Sequence, residues 1–248
     1  VLADDSFGTI VTAIIEGRTI YENMKKFIFF IFSSNIGEVF AVFATILIGL
    51  PAPLTAVLIL IINTLTDVFP SLALGVAPVE RNILERPPRR PDAKIMEWPF
   101  IRRYLINGII IGTITAGTFV WNLLRNGWSF GQPVELDSAL YMQSATMAFV
   151  ILTLLQMIHT FNSRSEIDSV FRMKVFGNFY LIAAILFSVV GTVAIVHLPV
   201  LQKYLKTSPL SGRDWLILTA LAFSVLIFEE LRKVVARSKL RKRVPIAV

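Results

Sequence analysis

Apolar residues in this chain come in long runs with almost no alternation. Six stretches, at about 27–49, 54–75, 100–124, 139–161, 176–197 and 214–231, carry few charges. Each comes near the roughly 20 residues that a helix needs to cross a bilayer. Pro, Gly and charged residues gather in the linkers. The segment before the first run has a different pattern. Phe7, Ile10, Val11, Ile14 and Ile15 recur at helical spacing among polar residues, which predicts an amphipathic helix too polar to span. Residues 21–26 lead straight into the first run, so one long helix rising into the bilayer is expected. Gly49, Pro51 and Pro53 close that helix and make the first two runs a tight antiparallel hairpin. The pattern predicts an all-α membrane protein. Residues 21–248 form a six-transmembrane-helix bundle, preceded over 1–20 by the end of a cytoplasmic domain and its linker.

Composition agrees with a membrane protein. The chain is 55% hydrophobic and 17% charged over 248 residues, with a mean hydropathy of +0.69, which is more apolar than a soluble domain. Cysteine is absent, so disulfides and thiolate metal sites are excluded. The net charge of +7 raises nucleic acid as a partner, but the placement of the charges argues against it. With a cytoplasmic N-terminus, twenty of the 24 Lys and Arg fall on the cytoplasmic side. Arg125, Lys203, Lys206 and Arg213 fall on the other. The positive-inside rule then puts both termini in the cytoplasm, and the basic excess serves topology and anionic lipid. Trp98, Trp121, Trp128 and Trp215 fall near the predicted membrane edges and read as an aromatic belt. Val1 is not an initiator Met, and no signal-peptide pattern follows. Val1-Leu2-Ala3 before Asp4-Asp5 reads as the end of a buried strand entering a turn.

Two apolar runs hold groups that hydrocarbon rejects. The first contains Ser33-Ser34-Asn35-Ile36-Gly37-Glu38, and the second Asn63-Thr64-Leu65-Thr66-Asp67-Val68-Phe69-Pro70. Glu38 and Asp67 are ionisable, and each costs about 2.5–3.5 kcal/mol at membrane depth. Such groups face a bundle interior and mark an ion or substrate path. Asn35 and Glu38 are three apart, and Asn63, Thr66 and Asp67 are i, i+3 and i+4, so each set shares a helix face. Pro70 removes a backbone donor and crowds the carbonyl of Thr66, so local unwinding is expected there. Unwound backbone at membrane depth must line a cavity or be covered by protein. Carboxylate, amide and hydroxyl oxygens make a hard-oxygen site that suits calcium; no imidazole or thiolate nearby points to zinc or copper. Ser33, Ser34 and Thr64 are read as helix-contact residues, and His159 as an interfacial residue. Gln156, deep in the fourth run, either completes a cation site or makes a helix contact. No phosphate loop or nucleophile constellation is present, so no catalytic or cofactor-binding residue is assigned.

These residues resemble a known family. Val1-Leu2-Ala3-Asp4-Asp5-Ser6-Phe7 and 14–28, with Glu16-Gly17-Arg18 and Asn23-Met24-Lys25-Lys26, resemble the join between phosphorylation domain and membrane in P-type cation ATPases. Ser33-Ser34-Asn35-Ile36-Gly37-Glu38 is similar to the fifth membrane helix of calcium pumps. Asn63-Thr64-Leu65-Thr66-Asp67, Leu72-Ala73-Leu74-Gly75 and Glu85-Arg86-Pro87-Pro88-Arg89 resemble the sixth helix and the following loop. Asn162-Ser163-Arg164-Ser165-Glu166, Leu198-Pro199 and Phe228-Glu229-Glu230 fit the rest. The resemblance covers essentially the whole chain and implies helices five to ten of a ten-helix pump.

The resemblance implies a cation-binding half with Asn35, Glu38, Asn63, Thr66, Asp67 and Gln156 as metal ligands and calcium as the transported ion. It places ATP, magnesium, the phosphorylated Asp motif and helices one to four in other parts of such a pump, as partners of this chain. The chain alone is expected not to hydrolyse ATP. Asn63 matches calcium pumps, where sodium/potassium pumps carry Asp. Gln156 departs from the Glu of two-calcium reticulum-type pumps and resembles the amide of plasma-membrane calcium pumps and sodium/potassium pumps. Two other classes compete. A channel or secondary transporter predicts an inverted repeat, but Asn63-Thr66-Asp67 has no counterpart in the second half. A non-transporting scaffold gains nothing from carboxylates at membrane depth.

Overall fold

The computed structural model describes residues 7–79, 83–84, 88, 94–173 and 177–243, the last five of these by backbone alone. The strand end expected at 1–5 and the motif residues Glu85, Arg86, Pro87 and Arg89 lie outside the described residues.

Helix α1, Phe7–Leu47, is a single rod of 41 residues, which joins the amphipathic segment to the first apolar run. It stops where the backbone turns left-handed at Gly49 (φ +79°). There the Leu50 N–H returns to Thr45 O at 3.0 Å, an ending that favours glycine. The Thr55 hydroxyl caps α2, Ala56–Ile62, by accepting from the Leu58 N–H at 3.3 Å. A π-helical turn, Asn63–Val68, then leads into α3, Phe69–Gly75. The break expected from Pro70 thus takes the form of a widened turn inside one rod. The extra residue per turn moves the Thr66 carbonyl off the proline ring without unwinding the helix.

Helix α4 is Trp98–Arg125, α5 Ala139–Ser163 and α6 Phe179–His197. A short α7, Pro199–Leu205, which the hydrophobic pattern does not predict, ends at Lys206 in the left-handed region (φ +52°). Helix α8 is Gly212–Arg243. Five helical rods among the described residues are long and apolar enough to cross a membrane: α1, α2 through α3, α4, α5 and α6. Six are expected from the sequence. α8 falls short because Asp214 and Glu229 bound its apolar stretch.

α5 is the hub. Its Met147, Phe149, Ile151, Leu152 and Leu155 are buried, packed with Leu58 and Ile62 of α2, Phe119 of α4, Val196 of α6 and Leu218 and Val225 of α8. α4 lies backbone-to-backbone on α1. A Cβ at Gly108 would sit 2.5 Å from Ile36 Cγ2, and one at Gly112 2.5 Å from Gly37 O. Such close approach by small residues drives helix packing where no water is displaced. It also fixes the stretch of α1 that bears Glu38.

Two expectations about surface residues fail. Trp128 is 7% exposed and packs in the core, its Nε1 donating to Gln132 O at 3.0 Å, so it stabilises the α4–α5 loop and does not anchor in lipid. Trp98 is exposed, as a belt residue must be. His159 is buried. Its Nε2 is hydrogen-bonded with the Ser33 hydroxyl at 2.7 Å, and its ring packs against Phe29 and Phe30.

Where α4 begins and α8 runs out of apolar residues, charges gather. Arg103 Nη2 lies 2.7 Å from Glu229 Oε1, and Arg232 Nη2 2.9 Å from the same oxygen. Glu166, between α5 and α6, takes Lys25 at 3.1 Å and Arg103 at 3.7 Å. Burial pushes the Glu166 carboxyl up, but Lys25 and Arg103 outweigh this and hold it below the usual carboxylate range.

Candidate cation site around the π turn

The π turn brings three elements together. Glu38 on α1 accepts from the Asn63 side-chain amide at 3.3 Å through one oxygen, and from Gln156 Nε2 on α5 at 2.9 Å through the other. The Thr66 hydroxyl lies 2.6 Å from Gln156 Oε1 and 2.8 Å from Ile62 O. Gln156 is therefore tied at both ends, to Glu38 and to the π turn. Glu38, Thr66, Asp67 and Gln156 are buried, and Asn63 is half-buried.

Asp67 differs from its neighbours. Both its carboxylate oxygens are buried, and neither has a hydrogen-bond partner among the described residues. The charge that acts on it is a second carboxylate, Glu38. Buried anions are normally paired or coordinate a cation. No Lys or Arg pairs with it among the described residues. A carboxyl in this setting takes either a proton or a cation.

Of the six residues read as ligands, Glu38, Asn63, Thr66 and Gln156 are joined by hydrogen bonds and Asp67 lies in the same turn. Asn35 spends its amide nitrogen on Ile31 O at 3.0 Å, as Asn63 does on Ile59 O, which leaves its oxygen uncommitted among the described residues. Ser33 bonds its own helix at Phe29 O and Phe30 O and reaches His159 of α5, in keeping with a helix-contact role, whereas Thr64 is exposed and bonds only Leu60 O on its own helix. The Ser34 hydroxyl is buried without a partner among the described residues.

Sequence reasoning missed the support behind the turn. In a π turn the carbonyl of Leu65 looks to the N–H of residue 70, which is proline and has none. The Ser188 hydroxyl of α6 donates to that carbonyl at 2.6 Å. Three residues on, a Cβ at Gly191 would meet the Leu65 side chain at 2.7 Å, so α6 closes tightly over the turn. At the start of α6, Asn178 Nδ2 donates to Ala73 O at 2.8 Å. A serine and a glycine in an apolar run gave the only sign of this, and both suit many helix contacts. Ser188→Ala is expected to lower bundle stability by about 0.6–1.7 kcal/mol, the range for interhelical hydrogen bonds in membranes. Thermal unfolding in detergent would show it, and an unchanged midpoint would mean that the turn needs no cap.

Residues 51–235 match the family model described as cation transporting ATPase, C-terminus. The calcium-transporting ATPase of Plasmodium falciparum is 33% identical over 273 residues, covering 98% of this chain and 22% of that protein. Calcium-transporting ATPase 1 of Bacillus cereus is 35% identical over 249 residues, covering 96% of this chain and 27% of that protein. The chain thus spans about a quarter of the length of these relatives. The residues that line the π turn lie within the matched region, apart from Glu38 on the preceding helix. This chain is a member of the family formed by the C-terminal membrane portion of cation-transporting ATPases.

Proposed function

We propose that this chain is the cation-binding and translocation half of an ATP-driven P-type pump that exports calcium from the cytoplasm, with its site around the π turn. The observation that carries the reading is Asp67, a buried carboxylate with two unpartnered oxygens beside a second carboxylate. Asn63 and Gln156 turn their amide nitrogens to Glu38 and Thr66 its hydroxyl to Gln156, so the two carboxylates are held in place as oxygen ligands of the kind a hard cation takes. The names of the two relatives favour calcium. The phosphorylating domain, with its ATP and magnesium, and helices one to four belong to the rest of the pump in this reading. α8 completes six crossings, and both termini face the cytoplasm. A channel or secondary transporter built on the same site would move calcium without ATP.

Equilibrium binding of labelled calcium to the intact pump tests the proposal. Glu38→Gln and Asp67→Asn are each expected to remove high-affinity binding. Undiminished binding in both variants would eliminate the site.

Gln156 bears on the number of ions. Glu38 and Asp67 together carry two negative charges, enough to balance one divalent ion. A second would leave unbalanced positive charge in a low dielectric, where it is costly. With its amide spent on Glu38 and Thr66, Gln156 orients Glu38 for a single ion. Gln156→Glu is expected to raise calcium affinity, because affinity tracks ligand charge. Two labelled ions per wild-type pump would overturn the one-ion reading.

A further inference from the structure

A groove of about 820 Å³ opens between α1, α4, the α5–α6 loop and α8. It lies at the end of the bundle where Lys and Arg collect, far from the π turn in sequence and in chemistry. Phe100, Ile106, Phe228 and Leu231 give it apolar walls. Lys25, Lys94, Arg102, Arg103 and Arg232 line it too, with Glu97 and Glu166. Five cations thus face two carboxylates, and Glu229 beneath them adds a third. Lys25, Arg103 and Arg232 are engaged by Glu166 and Glu229. Arg102 and Lys94 are exposed and make no ion pair among the described residues.

A second observation is independent of charge. Asn107 lines the same groove and is fully buried. Its Nδ2 donates to Arg103 O at 3.0 Å, but its Oδ1 has no donor among the described residues. The groove therefore offers surplus positive charge, apolar walls and a buried acceptor. It also sits at a defined depth, where α4 passes from Glu97 into its apolar run and α8 leaves its own at Phe228. That is the level at which a lipid headgroup meets its acyl chains. Basic pockets between membrane helices on the positively charged side take anionic headgroups.

We propose that this groove binds one anionic glycerophospholipid whose headgroup carries a hydrogen-bond donor, as phosphatidylserine does. The phosphate sits on Arg102 and Lys94. The headgroup donor serves Asn107 Oδ1, and an acyl chain lies along Ile106, Phe228 and Leu231. Phosphatidylcholine, with no net charge and no donor, fits neither polar feature. The site stands on the groove alone and does not depend on the cation reading.

Native mass spectrometry of the full chain in detergent, titrated with phosphatidylserine and with phosphatidylcholine, tests this. One phosphatidylserine is expected to be retained per chain, in preference to phosphatidylcholine. Arg102→Gln and Lys94→Gln should each weaken retention roughly fivefold, the value of about 1 kcal/mol per basic residue. Ile106→Trp keeps every charge but fills the groove and should also lose the lipid. Residues 94, 102 and 106 are exposed, so the bundle tolerates all three changes. Equal retention of the two lipids, phosphatidylserine binding that never saturates, or full retention in the charge and groove-filling variants would each overturn the proposal.

Discussion

Asp67→Asn in the intact pump is expected to abolish calcium-dependent phosphorylation from ATP. The change is nearly isosteric, so helix packing around the π turn survives and the effect is electrostatic. In the proposed site it removes one of the two charges that would balance a divalent ion, in a place where water cannot substitute. The apo bundle should not suffer, because burying a neutral amide costs less than burying an unpaired carboxylate. This yields a second readout. A ligand that binds only the folded state stabilises it by mass action, by about 2.7 kcal/mol at a hundredfold excess over its dissociation constant. The wild-type unfolding midpoint should therefore rise with calcium, while that of the Asn variant should not move. Calcium-dependent phosphorylation and calcium-dependent stabilisation that both persist in Asp67→Asn would show that the orphaned carboxylate serves something other than the ion.

The membrane fold was legible because its signal is coarse. Hydrocarbon forces every backbone group into a helix, so apolar runs and their punctuation carry most of the information. Gly49 ends α1 through a left-handed turn that other residues resist. The candidate site stood out for a related reason: Glu38 and Asp67 violate the pattern, and ionisable groups at membrane depth are the first place to look for function. What stayed hidden depends on which neighbour a side chain meets. Asn35 shares a face with Glu38 by spacing, but that its amide nitrogen is held by Ile31 O, leaving only the oxygen, could not be read from the sequence. His159 and Trp128 look like surface residues by position along the chain and are buried by contacts with distant helices. Pro70 announced a disturbance, but its form as a π turn required Ser188, more than a hundred residues away, to satisfy Leu65 O. Arg103 and Glu229 were visible only as separate charges at helix ends. Their pairing emerges from the crossing of α4 and α8.

That pairing sets up the largest structural effect expected in this chain. Glu229 is completely buried, and Arg103 keeps only 10% of its side chain exposed. Arg103 Nη2 and Arg232 Nη2 both approach the same Glu229 oxygen, at 2.7 and 2.9 Å. Arg103 also stacks on Phe29 of α1, with its guanidinium carbon 3.9 Å from the ring centroid. Lys233, likewise buried, has its ammonium 3.8 Å from Glu230 and no hydrogen bond among the described residues. Glu229 thus holds Arg103 and Arg232 together at the seam of α1, α4 and α8, with Glu166 also near Arg103 and Glu230 near Lys233. Replacing buried pairs by apolar groups is often neutral, but removing one partner leaves charge without compensation and costs about 3–5 kcal/mol. Glu229→Gln leaves Arg103, Arg232 and Lys233 with only the more distant Glu166 and Glu230 to offset them, so its cost should lie at the lower end of that range, against about half as much or less for Arg232→Gln, which leaves Glu229 its closer partner. Repulsion also predicts a rescue. Lys233→Met should be tolerated alone and should recover part of the loss in the Glu229→Gln background, a coupling that a double-mutant cycle isolates. Thermal unfolding of the four proteins in detergent measures it. Additive effects of the two substitutions would mean that Glu229 stabilises the seam by shape and hydrogen bonding, with its charge incidental.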